Sequence, residues 1–474
     1  MRNCEEVWHH VDERKARFEA LSDQVFDTPE LLYNEFQSAK AHEDALREHG
    51  FAVTTGIADI PTAMVGEAGD GGPVIAILGE YDALPGLSQE PGVAEHKPIR
   101  EGGNGHGCGH NLLGAGALLA ATAVKDHLAA NGLKGRVRYY GCPAEEGGAA
   151  KAFMVRAGAF DDVDIAITWH PSGVNEVARA RALANTRIDF TFHGRSSHAS
   201  GAPHLGRSAL DALELTNVGV QYMREHMPPG SRIHGAILDT GGIAPNVVQA
   251  RAKVRYAVRG ETREPMLALV EWVKKIAEGA ALMTQTRMEW KLLSSFSDLV
   301  GNRPLEEAMQ RQLERLGPAP YDDEDRAFAK AIQATLGPDD VASAYMKFGI
   351  PPRDDEPLHE DIVPLDAQGV ELLGSTDVGD VSWVVPTVQA HTATMALGTP
   401  GHSWQLTAQG KSPHAKKAMV QAAKVMAATA VEALTDPSLI DAAKADLHRR
   451  TAATPYTSPI PPDVMPPLQM GRVG

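Results

Sequence analysis

The chain has 474 residues, 43% of them hydrophobic and 22% charged, which is ordinary for a globular protein able to bury a large core. Its formal net charge is −16, and no Lys/Arg block stands out, which argues against a nucleic-acid partner. The three cysteines, Cys4, Cys108 and Cys142, are odd in number, widely spaced and free of any CxxC pair, which excludes a disulfide framework and a zinc ribbon.

The first thirty residues are charged and helical in period. They hold no apolar h-region, so no secretory signal is expected. No run approaches the ~18 apolar residues of a membrane span, and the expected location is the cytoplasm, with no membrane partner. Two helices are predicted over 5–50. PVIAILG (73–79) is a continuous apolar run bounded by Pro and Gly, as for a strand buried on both faces. A long helix from about Asn111 should stop at Asn131-Gly132. RVRYYGC (136–142) and VDIAITW (163–169) read as strands, with AAKAFMVRAG (149–158) helical between them. Alternating strand and helix predicts an α/β domain with a mostly parallel sheet.

The texture changes near residue 184. TRIDFTFHG (186–194) alternates Ile188, Phe190 and Phe192, as a half-exposed strand does. A helix (206–227), strands at 232–239 and 250–260, a helix (264–283) and a strand (286–294) follow. The order βαββαβ is the split ferredoxin-like motif. It predicts an inserted domain over 184–298, with 1–183 and 299–474 forming one discontinuous domain. The chain then returns to helices around a Pro/Asp/Glu-rich loop, PPRDDEPLHED (351–361), and the acidic segment 320–365 reads as solvated loop. VQAHTATMALG (388–398) is a predicted strand, residues 415–434 a closing helix, and the Pro-rich tail from Pro455 an extended surface segment.

The ionisable motifs fall at one kind of place. GEYDALP (79–85), PAEEGG (143–148), WHP (169–171) and GTPGHS (398–403) all lie at or past the C-terminal ends of predicted strands, the edge where open α/β sheets bind ligands. HGCGHN (106–111) opens a helix at the same edge. Alone, HGCGHN could be a Gly-rich turn with a buried thiol, a metal site or a nucleophilic cysteine. The last ranks lower, because Cys108 and His110 are too close in sequence for the usual triad. Glu145-Glu146 alone would be a solvated turn, and the histidines of WHP and GHS packed side chains. Together these motifs supply Cys, His and Glu donors for two divalent metals plus a spare carboxylate as general base. No GxSxG elbow, HExxH helix, P-loop or clean GxGxxG competes.

With GEYDALPGLSQ, NGHGCGHNLLG, PAEEGG, TWHP, PHLGRSALDA, GGIAPNVVQA, STDVGDVSW and GTPGHSWQL, the chain resembles the two-metal amidohydrolases of the aminoacylase–carboxypeptidase–dipeptidase family. The likeness is to the branch with the indole-acetyl-amino-acid hydrolases, which carry Cys-Gly-His where others have a bridging aspartate. It runs over nearly the whole chain. The resemblance implies a metallohydrolase domain with an inserted lid and dimerisation domain, acting on an N-acyl or N-aroyl amino acid. It implies two divalent ions, manganese or zinc, per subunit. Cys108 would bridge them, His110 and His170 completing one and Glu146 and His402 the other. Glu145 would be the general base and Asp82 would orient a ligand histidine. Other branches have His-x-Asp at Glu80-Tyr81-Asp82, so the histidine supplied there is taken to be His110. His198 would reach the partner subunit's site, and Asn246 and Arg259 (with Arg255 on the same face) would meet the substrate carboxylate. The partner would be a second copy of the chain or a homologous second subunit. The competing readings are a dipeptidase or aminoacylase of other acyl preference, and a non-catalytic subunit.

Overall fold

The computed structural model describes residues 2–370 and 374–471; the side chain of Cys4 lies outside the described set. In chain order the strands are β1 (Ala52–Thr55), β2 (Met64–Asp70), β3 (Val74–Glu80), β4 (Gly135–Cys142), β5 (Ile165–Ser172), β6 (Glu176–Val177), β7 (Ala184–His193), β8 (Arg232–Asp239), β9 (Arg251–Gly260), β10 (Arg287–Phe296) and β11 (Thr387–Ala393). They form a seven-stranded sheet, β1-β2-β4-β3-β5-β11-β6, and a four-stranded sheet, β10-β7-β9-β8.

In the larger sheet β4, β3, β5 and β11 run parallel, while β1, β2 and β6 add antiparallel edges. The parallel centre is buried on both faces, as the apolar run of β3 requires. Ile75 and Ile77 pack into one layer with helices Arg2–Phe26, His110–Asn131 and Pro413–Thr435. Val74, Ala76 and Leu78 point the other way, toward Phe153, Val381 and Ile460. Helix His110–Asn131 is apolar on nearly every side because it is the centre of the first layer. By length and mean hydropathy it could cross a membrane, but 83% of its most apolar window is buried within the protein. It ends on Gly132, whose left-handed φ of 59° closes the helix as the Asn-Gly pair predicts.

The smaller sheet is fully antiparallel. With helices Ala209–Met223 and Arg263–Thr284 it reproduces the βαββαβ order. Ile188, Phe190 and Phe192 pack on Leu213, Met266 and Val273 in a separate core. The opposite face of β7 is more covered than a half-exposed strand would be. Asp189 is 2% exposed there because Lys253 and Arg255 on β9 close over it, at 2.6 and 2.7 Å.

Other expectations need correction. β1 and β2 carry too few apolar residues to stand out, and they pair on the margin of the parallel set. β11 stops at Ala393, and the residues after it turn back over the sheet edge. The acidic segment 320–365 is not simply a loop: it contains helices Asp323–Gln333 and Pro338–Phe348, anchored by Ile332, Tyr345 and Phe348. Its acids cluster because Asp322 caps the first of these helices and three more occupy its first turn, where negative charge favours the helix dipole. The helix at 413–435 does not close the chain, since Pro437–Thr451 follows. The tail beyond Pro455 is extended, as predicted, but Ile460 is buried against the second layer.

Phe190 is fully buried in the core of the smaller sheet and its helices. Phe190→Ala should cost about 3–5 kcal/mol, read as lost hydrogen-exchange protection in β7 and β9 with the large sheet's protection retained.

Candidate metal centre

The parallel strands deliver their C-terminal ends to one edge, and the ionisable motifs meet there. Asp82 follows β3, Glu145 and Glu146 follow β4, His170 lies in β5, and His402 comes from the loop after β11. Cys108 and His110 sit at the start of the central helix. Gly109, at φ 77°, makes the turn into it and packs on Pro171 where a side chain would crowd. The His402 amide donates to the Gly107 carbonyl at 3.0 Å, which ties the two loops together.

Cys108, His110 and His170 present ligand atoms within 4.8 Å of one another; so do Cys108, Glu146 and His402. The two triads share the Cys108 sulfur. Cys108 Sγ lies 3.4 Å from His170 Nε2, and Glu146 Oε2 lies 3.4 Å from His402 Nε2. The second-sphere hydrogen bonds set the ring tautomers. His110 Nδ1–H donates to Asp82 Oδ1 at 2.9 Å, and His170 Nδ1–H donates to the Pro171 carbonyl at 2.8 Å. Each leaves its Nε2 lone pair facing the cluster. The other Asp82 oxygen accepts the Glu146 amide at 2.9 Å, so one buried carboxylate contacts a residue of each triad.

The cluster fits cations. Glu146 Oε1 is buried without a hydrogen-bond partner, and His110 Nε2 meets only the Glu80 carboxylate, at 3.3 Å. Burial, and then the neighbouring Glu146, push the Cys108 thiol up. Burial, Glu80 and Glu146 together hold the Glu145 carboxyl well above its usual range. Burial and the neighbouring His110 bring His170 down to about 3, so its ring is neutral. Thiol, imidazole and carboxylate donors are a set that suits divalent metal ions.

Backbone strain accompanies the site. Ala144, Ala149 and His402 hold left-handed φ values of 56°, 60° and 56°, each costing on the order of 1 kcal/mol or more. The buried carboxylate of Glu35 steadies the first of these, accepting the Ala144 amide at 2.9 Å.

Above the triads is a cavity of about 370 Å³ between the two sheets, lined by Glu145, His170, His391, Arg187 and Arg259 among others. Arg187 Nη2 donates to the Glu146 carbonyl at 2.8 Å. It can do so because residue 147 is glycine: a Cβ there would fall 1.5 Å from Arg187 Nη1. Arg259 reaches Ser375 Oγ at 2.8 Å and keeps a buried, unpartnered Nε. Arg255 is instead turned to Asp189. His198 and Asn246 are not brought to this cavity. Both are exposed on the smaller domain, side by side, with the Ala199 amide donating to the Asn246 carbonyl at 3.0 Å.

Sequence reasoning missed a buried ion trio beneath the cluster. Lys151 Nζ lies 2.6 Å from both Glu80 Oε1 and Asp377 Oδ1, and all three side chains are almost fully buried. The other Glu80 oxygen is 3.3 Å from His110 Nε2. The available signal was a lone lysine inside the apolar helix Ala150–Arg156. Arg187 was missed because it sits in a strand whose other face carried the pattern.

A model of the peptidase family M20/M25/M40 matches residues 76–444. The chain belongs to this family. It is a metal-binding hydrolase of amide bonds. It is 43% identical to one of the subunits of p-aminobenzoyl-glutamate hydrolase of Escherichia coli (strain K12), over 98% of this chain and 99% of the relative. It is 28% identical to the Xaa-Arg dipeptidase of Mus musculus, over 91% and 89%. Among solved structures it is similar to an aminobenzoyl-glutamate utilization protein from Klebsiella pneumoniae, with TM-score 0.55 and 17% identity, covering 87% of this chain and 97% of that one. It is also similar to a dinuclear metal binding peptidase of the same family from Bacillus subtilis, with TM-score 0.53 and 20% identity over 89% and 99%.

Two outcomes are expected. Asp82→Ala should weaken binding of the first metal equivalent by about 10–100-fold, measured by calorimetric titration of the stripped protein. Lys151→Met leaves two buried carboxylates unpaired and should cost about 3–5 kcal/mol, measured by urea unfolding.

Proposed function

We propose that this chain hydrolyses p-aminobenzoyl-glutamate to p-aminobenzoate and glutamate, using two divalent ions, zinc or manganese. The observation that carries the reading is the pair of donor triads meeting at Cys108, with the Glu145 carboxylate beside them, within 4.8 Å of ligand atoms of His110 and Glu80. A structural site would be closed by its ligands and would keep no spare base. A non-catalytic subunit would have no need of the full set.

Cys108, His110 and His170 would hold one ion, and Cys108, Glu146 and His402 the other. When bound, such ions supply Lewis acidity and make water a nucleophile near neutral pH. The remaining work falls to side chains. Glu145 takes a proton from the attacking water and delivers it to the leaving amine nitrogen as the C–N bond breaks. Arg187 and Arg259 place two guanidinium groups over the cavity, which suits a substrate carrying carboxylates. The cavity between the sheets lets closure of the smaller domain exclude water.

His198 and Asn246 lie outside their own chain's cavity, and this supports a role across a dimer. β8 is an edge strand, and Ile237 and Leu238 on it and Ile243 just after it stand exposed, as for a sheet edge awaiting a partner. In this reading the partner is a second copy, or a homologous chain, in the cytoplasm. His198 of the partner subunit then polarises the scissile carbonyl, and Asn246 contacts the substrate carboxylate.

The test is release of p-aminobenzoate by the purified chain, stripped of metal and then given zinc or manganese. Metal-restored release supports the reading; no release with either ion, from a chain shown to bind two, overturns it. Glu145→Gln should keep both ions and lose about 10²–10⁴-fold in kcat. Mixing Glu145→Gln with His198→Ala should restore activity in mixed dimers, and no rescue despite subunit exchange would contradict the role in trans.

A further inference from the structure

A second group of donors lies well away from the cavity. Glu6 and His10 are one helical turn apart on the first helix, Arg2–Phe26, so their side chains share a face. His127 comes from the far end of helix His110–Asn131, which packs against it. Ligand atoms of Glu6, His10 and His127 lie within 4.8 Å of one another. Seventeen residues separate His127 from His110 on the same helix, or roughly 26 Å at 1.5 Å per residue. None of the three takes part in the chemistry described above.

The protonation pattern is that of a ligand set. His10 Nδ1 faces the Glu13 carboxylate at 3.4 Å, which favours the ring proton on that side and Nε2 as the free lone pair. His10 Nε2 is buried and has no hydrogen-bond partner. His127 is 0% exposed, and its Nε2 is likewise without a partner. The Asn131 amide lies 3.3 Å from His127 Nδ1, but its two hydrogens have nearer acceptors in Glu6 Oε1 at 3.1 Å and the His127 carbonyl at 3.0 Å. His127 Nδ1 is therefore not needed as an acceptor, and the tautomer with a free Nε2 is available. The two rings meet edge to face, 6.2 Å between centroids. Two imidazole nitrogens left unsatisfied in a packed helix pair would each cost free energy, and one cation between them removes both costs.

We infer that Glu6, His10 and His127 form a further metal site, for zinc or a similar imidazole-preferring divalent ion. Two histidines and one carboxylate bind the ion, and Glu13 and Asn131 orient them. Glu6 is at the surface, so a water completes the tetrahedron. The ion staples the N-terminal helix to the helix whose other end carries Cys108 and His110. Its role is to stabilise that pair, not to catalyse.

The test counts zinc bound per chain in the stripped and reloaded full-length protein, by plasma mass spectrometry after equilibration with free zinc. His10→Gln changes a half-buried side chain and should preserve the fold, checked by circular dichroism. The variant should bind one fewer zinc ion than the wild type, and zinc should raise its unfolding temperature less, with amide hydrolysis unchanged. Glu6→Gln should lower the affinity of the same ion. Because the count is a difference between two chains, it stands however many ions the cavity holds. Equal zinc content and an equal thermal shift in wild type and His10→Gln would overturn the site.

Discussion

Glu80, Glu145, Glu146 and Cys108 are crowded into one buried space, and their mutual repulsion is the constraint around which the cavity is built. Two like charges about 4 Å apart repel by about 4 kcal/mol at an effective dielectric of 20. The fold answers part of this with its own cation, since Lys151 sits between Glu80 and Asp377. His110, held by Asp82, faces the rest. What remains is a set of thiol, imidazole and carboxylate donors whose cheapest neutralisation is a pair of divalent ions. The unpartnered Oε1 of Glu146 is the local sign of that unmet demand.

The parallel sheet makes such crowding possible. Four strands running the same way release their C-terminal residues at one edge, so Asp82, Glu145, Glu146 and His170 converge although they are far apart in sequence. The central helix, buried on all sides, fixes the end that carries Cys108 and His110. Strain at Ala144, Ala149 and His402 is sustained because burial and hydrogen bonds over-determine the turns. The smaller domain adds two arginines over the cavity, an exposed edge strand, β8, and exposed segments bearing His198 and Asn246.

The buried strands β3, β4 and β5 were legible because an unbroken apolar run bounded by Gly or Pro has few other uses. The antiparallel βαββαβ unit was legible from its change to period-two alternation at Ile188, Phe190 and Phe192. The clustering of Cys, His and Glu side chains at one edge was legible because their motifs fall together at strand ends. β1 and β2 were not legible, because edge strands of mixed polarity resemble loops. The helices in 320–365 were hidden by the acids that cap them. Lys151 and Asp377 were hidden because a buried ion pair leaves no periodic trace and its partners come from distant segments. Glu35 was hidden for the same reason: its value lies in accepting the Ala144 amide across the fold.

The central claim is that one sulfur, Cys108 Sγ, belongs to both ion sites. X-ray absorption at the zinc edge tests it directly, on the His10→Gln chain loaded with two equivalents of zinc. A shared thiolate gives every zinc ion one sulfur neighbour at about 2.3 Å, so the mean sulfur coordination is one per zinc. A terminal thiolate serving one ion gives half a sulfur per zinc. The shared arrangement predicts the first value, and the second would contradict it.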